Sequence, residues 1–360
     1  MRRRLVLSLG VLLATAACGN GEQDNIAVSI RQGSNFREAA ESLAVHGLVR
    51  SPSLFRYYAR LAKRDRSIRY GRYIIREGAS WDEILTALEQ GKGIVHRVTV
   101  PEGSTLWDIV PAIAKALTLP EDSVQRALAD TAFHRRIGLP RGMRSLEGYL
   151  FPDTYDFPDG ATARQAVDLM LKRFEREWTP AHTARAAEIK MTRHQVVTLA
   201  SIIEKEVRRG HERPTVSAVY HNRLKIGQML QADPTVQYAL GRRRPGRVLY
   251  RDLRVDSPYN TYRRTGLPPG PIASPGGASI TAALYPADVT YRYFVAHPDG
   301  HHEFRNTYAE HLRAIEYVRS VARADSLERR RRAAQAAVDS ALSAAGVPRA
   351  TYDSIRQRQP

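Results

Sequence analysis

The 360 residues, 43% of them hydrophobic and 26% charged, describe a globular chain rather than a disordered one, with length for two or three domains. A formal charge of +18 calls for a polyanionic partner, such as nucleic acid, an acidic membrane surface or a carboxylate-bearing polymer. The single cysteine excludes a disulfide framework and a cysteine-based zinc site.

Arg2, Arg3 and Arg4 precede an apolar run, Leu5 to Ala17, that is too short to cross a bilayer as a helix and has the shape of an export signal. The run ends in Thr15-Ala16-Ala17-Cys18, which resembles a bacterial lipoprotein cleavage site with Cys18 as the lipidated N-terminus, although Thr15 stands where Leu is usual. An uncleaved anchor or a freely secreted form is the alternative. Export argues against nucleic acid as the partner, so residues 1–18 are expected to be a signal peptide and the remainder an envelope protein.

Residues 19–117 carry a degenerate repeat of an apolar run, a glycine, a capping residue and an amphipathic helix pattern. The copies are SIRQGSNFREAA from Ser29, YIIREGASWDEIL from Tyr73 and VTVPEGSTLWDIV from Val98. Gly33, Gly78 and Gly103 suit a positive φ at the turn, and Asn35, Ser80 and Thr105 are each followed three residues on by an acid, Glu38, Glu83 or Asp108. Each copy is a strand-turn-helix unit. Such units resemble LysM-type modules, which bind N-acetylglucosamine-containing chains; a structural spacer is the competing reading.

Residues 118–144 read as a helical connector broken at Leu139-Pro140-Arg141-Gly142. Over 145–318 the texture changes to aromatics, Asn, Asp, Gly and Pro between short apolar runs, the composition of a built site. The 319–360 stretch is rich in Arg and Ala, with helix propensity but a weak apolar face, and Gly346-Val347-Pro348 breaks it. A helical or mobile tail is expected there.

Within 145–318, ASIIEKE places two carboxylates beside an apolar stripe of Val196, Leu199, Ala200, Ile203 and Val207 at helical spacing. A carboxyl group half-withdrawn from water has its charged form disfavoured, as a general acid working near neutrality requires. Helix geometry does not choose between Glu204 and Glu206, and ion pairs of both with Arg208 or Arg209 on a solvated margin are the alternative. His297, His301, His302 and His311 invite a metal, but Pro298 and Gly300 oppose a helix there and no Cys joins them. Surface histidines on a hairpin are expected, and no metal site.

Five strings in fixed order, LEGYLFPDTY from Leu146, ASIIEKE from Ala200, LQADPTVQYALG from Leu230, SPYNTYRRTGLPPGPI from Ser257 and YFVAHPDGHHEF from Tyr293, resemble the MltG (YceG-like) endolytic murein transglycosylases. The resemblance spans roughly Ile26 to Val318. Ser274 departs from it, standing where Asn is common before Pro-Gly, and many members have a transmembrane helix in place of the lipoprotein-like signal. It implies an α+β chain, with an N-terminal LysM-like strand-helix region followed by a YceG-like mixed α/β catalytic domain.

The resemblance also implies non-hydrolytic cleavage of the bond between N-acetylmuramic acid and N-acetylglucosamine within peptidoglycan strands, leaving 1,6-anhydro ends and ending strand growth. The family's acid, the first Glu of the EKE run, falls on Glu204. Substrate contacts are expected from Glu147, Tyr149, Tyr155, Gln231, Asp233, Tyr259, Asn260 and Tyr262, each weighed against a cap, turn or core role. No metal or organic cofactor is required. The implied setting is the periplasmic face of the inner membrane, tethered through the N-terminus, alongside the cell-wall synthesis machinery. A glycan-binding lipoprotein without activity, and a scaffold for that machinery, are the rival readings.

Overall fold

The computed structural model describes residues 25–66, 68–241, 248–346 and 348. Cys18, the N-terminal arginines and Arg242 to Arg244 lie outside the described residues. The chain divides into two compact units, one of residues 1–96 with 156–160 and one of 97–155 with 161–360.

The first unit begins β1 (Asn25–Ile30), α1 (Phe36–Val45), α2 (Pro52–Leu61), β2 (Gly71–Arg76). β1 and β2 pair antiparallel with Asn25 opposite Arg76 and Ile30 opposite Gly71. Period-two alternation turns Val28, Ile30, Tyr73 and Ile75 inward, where Leu43, Phe55 and Leu85 meet them. α3 (Trp81–Gln90) adds Ile84, Leu85 and Leu88 to the same core. β3 (Ile94–Thr99) and β4 (Thr154–Pro158) complete a four-stranded sheet of order β1-β2-β3-β4, and both strands cross the division between the units.

All three repeat copies form a strand, a turn and a helix. Gly33, Gly78 and Gly103 have φ of 84°, 74° and 74°, which L side chains rarely adopt. Reciprocal capping boxes close the N-termini of α1 and α3 with Asn35/Glu38 and Ser80/Glu83, and at α4 (Leu106–Leu117) Asp108 accepts from the Thr105 N–H and Oγ. The third copy belongs to the second unit.

The second unit is mostly helical. The segment 118–144 is more than a link, because α5 (Glu121–Leu128) buries Val124 and Leu128 while α6 (Thr131–Ile137) buries Phe133 and Ile137. After α7 (Ala163–Glu177) and α8 (Pro180–Glu188) comes α9 (Arg193–Glu206), packed against α8, α10 (Arg213–Lys225), α11 (Asp233–Leu240) and α12 (Gly277–Leu284). Eight consecutive residues of α9, Val196 to Ile203, are buried. The stripe expected from the sequence is therefore wider than one face: α9 is an interior helix, which hydrophobic periodicity alone does not distinguish from an amphipathic one.

A hairpin of β5 (Tyr293–Ala296) and β6 (His302–Arg305) follows, then α13 (Tyr308–Ala344). α13 packs on the hairpin through its first turns and buries only Ala314 and Val318. It runs unbroken for 37 residues. Among the described residues no helix is long and apolar enough to cross a membrane.

Candidate functional site

Three polar side chains of α9 hold an extended, proline-rich segment against the helix. His194 Nε2 donates to the carbonyl of Pro269 at 2.7 Å, and its Nδ1 then accepts from Tyr149 Oη at 2.8 Å. Ser201 Oγ accepts the Ile272 N–H at 3.0 Å, and Glu204 Oε2 accepts the Gly276 N–H at 3.1 Å. A carboxylate in the last turn of a helix faces the negative end of that helix's dipole. Here α12 compensates, since Gly276 is its N-cap and Ser279 Oγ donates to the same Glu204 Oε2 at 2.7 Å.

Arg213, at the start of α10, closes the arrangement. Its Nε donates to Ser279 Oγ at 3.0 Å, and its Nη2 lies 3.5 Å from Glu204 Oε1 and 4.0 Å from Glu102 Oε2. Among the described residues, Glu204 thus has one oxygen tethered by two hydrogen bonds and the other with a single contact at 3.5 Å. The Glu204 side chain is 7% exposed. The loop carrying Glu102 is fixed from two directions. Gly103 N–H donates to Ser274 O at 2.8 Å, Ser274 N–H donates to Ser104 O at 2.7 Å, and Lys205 Nζ donates to Gly103 O at 3.1 Å. A Cβ on Gly276 would sit 1.8 Å from Glu102 Oε1, so a side chain there would displace the Glu102 carboxylate from its present place. Burial, and the Glu204 charge beside it, push the Glu102 carboxyl above its ordinary range against the pull of Arg213.

Glu206 turns the other way. Two residues along a helix is about 200° of rotation, and its Oε1 accepts from Tyr220 Oη at 3.0 Å. Burial raises the Glu206 carboxyl to about 7, opposed by the Tyr220 bond. The two carboxylates therefore have different surroundings: Glu206 is held by Tyr220 of α10, while Glu204 faces a second carboxylate, a guanidinium and a helix N-terminus.

The other singled-out residues separate into enclosed and accessible groups. Glu147 is 2% exposed and accepts the Leu106 N–H at the start of α4 at 3.2 Å and Tyr238 Oη at 3.3 Å. Burial raises its carboxyl to about 7, with those two donors pulling back. Tyr149 is buried on His194, and Tyr155 donates to Phe151 O at 2.5 Å inside the core. Asn260 is fully buried; its Nδ2 donates to Leu253 O and Val255 O at 2.9 and 2.8 Å, and its Oδ1 accepts from Tyr262 N–H at 3.0 Å. Its amide is committed to folding its own loop. Gln231 and Asp233 are exposed, Tyr259 and Tyr262 half-buried, and Tyr262 Oη donates to Asp233 Oδ1 at 2.6 Å. Asp233 stands at the first position of α11 without capping it.

Sequence reasoning did not single out Glu102, Arg213, Ser279, Trp107 or Tyr238. Trp107, 38% exposed, lies tilted 5.0 Å from Tyr238, which lies 4.9 Å from Tyr259, giving an aromatic row beside Glu147. Glu102 and Trp107 lay within the third repeat copy, where the Glu-Gly pair is shared with Glu77-Gly78 of the second. Glu77 is simply exposed, so the pattern could not separate the two.

The histidines need one correction. His297 and His301 stack at 3.9 Å and pair with Glu303 and Asp299, as hairpin residues do, but His302 is buried, with Nδ1 2.7 Å from Glu212 Oε2. Its strand position turns it inward onto the start of α10. Among the described residues no group of three or more His, Cys, Asp or Glu is placed to hold a metal.

The chain matches known proteins over most of its length. The profile of the YceG-like family covers residues 28–317. The endolytic murein transglycosylase of Bacillus subtilis (strain 168) is 35% identical over 307 residues, 81% of this chain and 85% of that protein. The endolytic murein transglycosylase of Streptococcus pneumoniae serotype 2 is 28% identical over 82% of this chain but 59% of its own length. A crystal structure of a putative yceG-like protein from Listeria monocytogenes superposes with a TM-score of 0.59 at 32% identity, covering 80% of this chain and 98% of that one. Family profile, identity and fold agree, and the chain belongs to the YceG-like family.

Proposed function

We propose that this chain is a peptidoglycan lytic transglycosylase that cuts inside glycan strands, with Glu204 as its acid and then its base. The observation that carries this reading is the asymmetric tethering of Glu204: Oε2 is held by Gly276 and Ser279, while among the described residues Oε1 has only the longer Arg213 contact. In the reaction, the Glu204 proton passes to the glycosidic oxygen and the bond from C1 of N-acetylmuramic acid to that oxygen breaks. The C6 hydroxyl of the same sugar closes on C1, and the Glu204 carboxylate takes up the hydroxyl proton. Glu204 ends as it began, water is not consumed, and the product carries a 1,6-anhydro end. One acid/base group suffices because the nucleophile is the sugar's own hydroxyl, unlike the two-carboxylate hydrolases.

The names carried by the Bacillus and Streptococcus relatives support the substrate class. Arg213 serves to fix Glu204 and to balance Glu102 beside it. Gln231, Asp233, Tyr259 and Tyr262 are proposed sugar contacts because they keep exposed surface, joined by the Trp107–Tyr238 row, whose ring faces suit pyranose faces. Glu147, Tyr149, Tyr155 and Asn260 are assigned instead to holding the segments that carry those contacts. The strand-helix-helix-strand order of residues 25–76 supports a LysM-like glycan-holding region. Residues 1–18 are proposed to export the chain and tether it at the membrane, where cutting nascent strands would end their elongation.

Digestion of purified peptidoglycan in heavy-oxygen water by residues 19–360 tests the reaction. Internal cuts leaving anhydro-muramic ends without heavy oxygen are expected. Reducing ends that carry the label would make the protein a hydrolase.

A further inference from the structure

We infer that α2 and the segment following it form a docking face for an anionic phospholipid surface. At about 100° per residue, α2 presents three faces. Phe55 and Ala59 are buried, with Phe55 packed between Phe36 and Trp81. A second face holds Leu54, Tyr57, Tyr58 and Leu61, exposed by 60, 63, 37 and 66%. A third, directly beside Tyr57 and Leu61, holds Arg56 and Arg60. Leu54, Tyr57 and Leu61 make a stripe that the fold leaves open, and nothing in the core requires them to be apolar.

The charge around that stripe selects the partner. From Arg50 to Arg72 the chain carries eight basic residues and one acid, Asp65, which pairs with Arg60. Arg64 is held by Asp82 and Glu89, and Arg72 by Asp156. Arg50, Arg56, Lys63, Arg66 and Arg69 make no ion pair among the described residues. Exposed leucine and tyrosine beside Arg56 and the largely exposed Arg60, in a segment with eight basic residues to one acid, is the composition of a segment lying at a lipid headgroup boundary. A glycan strand fits less well: residues 50–72 contain no Asn or Gln and no unpaired carboxylate to bond sugar hydroxyls, and aliphatic leucines gain little from a pyranose face.

Chain length agrees. Residues 18–24 separate the apolar run ending at Ala17 from β1, and seven residues span at most about 25 Å. The first unit therefore cannot stand far from a membrane that holds this N-terminus. That part of the argument rests on the tethering reading above; the stripe and its charge do not.

The experiment uses residues 19–360, so the apolar run cannot contribute, and sedimentation with vesicles of phosphatidylcholine alone or mixed equally with phosphatidylglycerol. Binding to the mixed vesicles at least about tenfold tighter than to the neutral ones is expected, weakening with salt. L54S/Y57S/L61S and, separately, R56Q/R60Q are each expected to lose about tenfold or more, with the melting temperature unchanged. Equal binding to both vesicle types, or a stripe variant that binds like the parent, would overturn the proposal. So would variants that keep lipid binding but lose sedimentation with purified peptidoglycan, which would give the face to glycan. Cleavage is read separately, so failure here leaves the reaction assignment standing.

Discussion

Replacing Glu206 by Gln should stabilise the protein in a pH-dependent way. The native fold raises the Glu206 carboxyl from its ordinary 4.5 to about 7, chiefly by burial. Between those pH values the folded state holds a proton that the unfolded chain has released, so stability falls as pH rises, and the loss is complete above about 7. At about 1.36 kcal/mol for each pH unit, the full cost is on the order of 3 kcal/mol. Gln cannot ionise, yet its amide oxygen can still accept from Tyr220 Oη, which lies 3.0 Å from the carboxylate. The urea-unfolding free energy of E206Q minus that of the parent should therefore move in the variant's favour by roughly 3 kcal/mol between pH 4.5 and pH 8. A difference that stays constant across that range would refute the burial argument for Glu206.

Three further substitutions probe the site and its supports. S279A removes the 2.7 Å bond to Glu204 and should lower kcat/KM by roughly ten- to a hundredfold, the weight of a hydrogen bond to a charged group, with little change in melting temperature. G148A forces a side chain to φ +81°, with its Cβ 2.4 Å from Pro271 Cβ, and thermal unfolding should register a loss above about 3 kcal/mol. N260A leaves the half-buried carbonyls of Leu253 and Val255 without their amide donor and should cost about 2–4 kcal/mol by denaturant unfolding, with activity falling only as the folded fraction falls.

Local signals in the sequence reached the local structure. A glycine at positive φ followed by a capping pair needs only a few neighbouring residues, and all three copies fold that way. ASIIEKE likewise located α9 and the pair Glu204/Glu206. The surroundings that distinguish the two come from far away in sequence: Gly276 and Ser279 lie over seventy positions from Glu204, and Glu102 about a hundred before it. No periodicity encodes such pairings, which explains why Glu102, Arg213 and Ser279 went unmarked. Asn260 shows the opposite limit. Its polar neighbours suggested a presented amide, but a buried amide must satisfy its donors and acceptor, and here the loop's own backbone does so. The polar neighbours of His302 suggest a surface residue, while the two-residue period of β6 turns it inward onto Glu212.

Comparing E204Q with E206Q on purified peptidoglycan, with product ends read by mass spectrometry, tests the central claim most directly. Glu204 as the acid predicts that anhydro-muramic ends disappear with E204Q while E206Q, matched for folded protein, keeps cutting. Loss of those ends with E206Q and their persistence with E204Q would contradict the assignment.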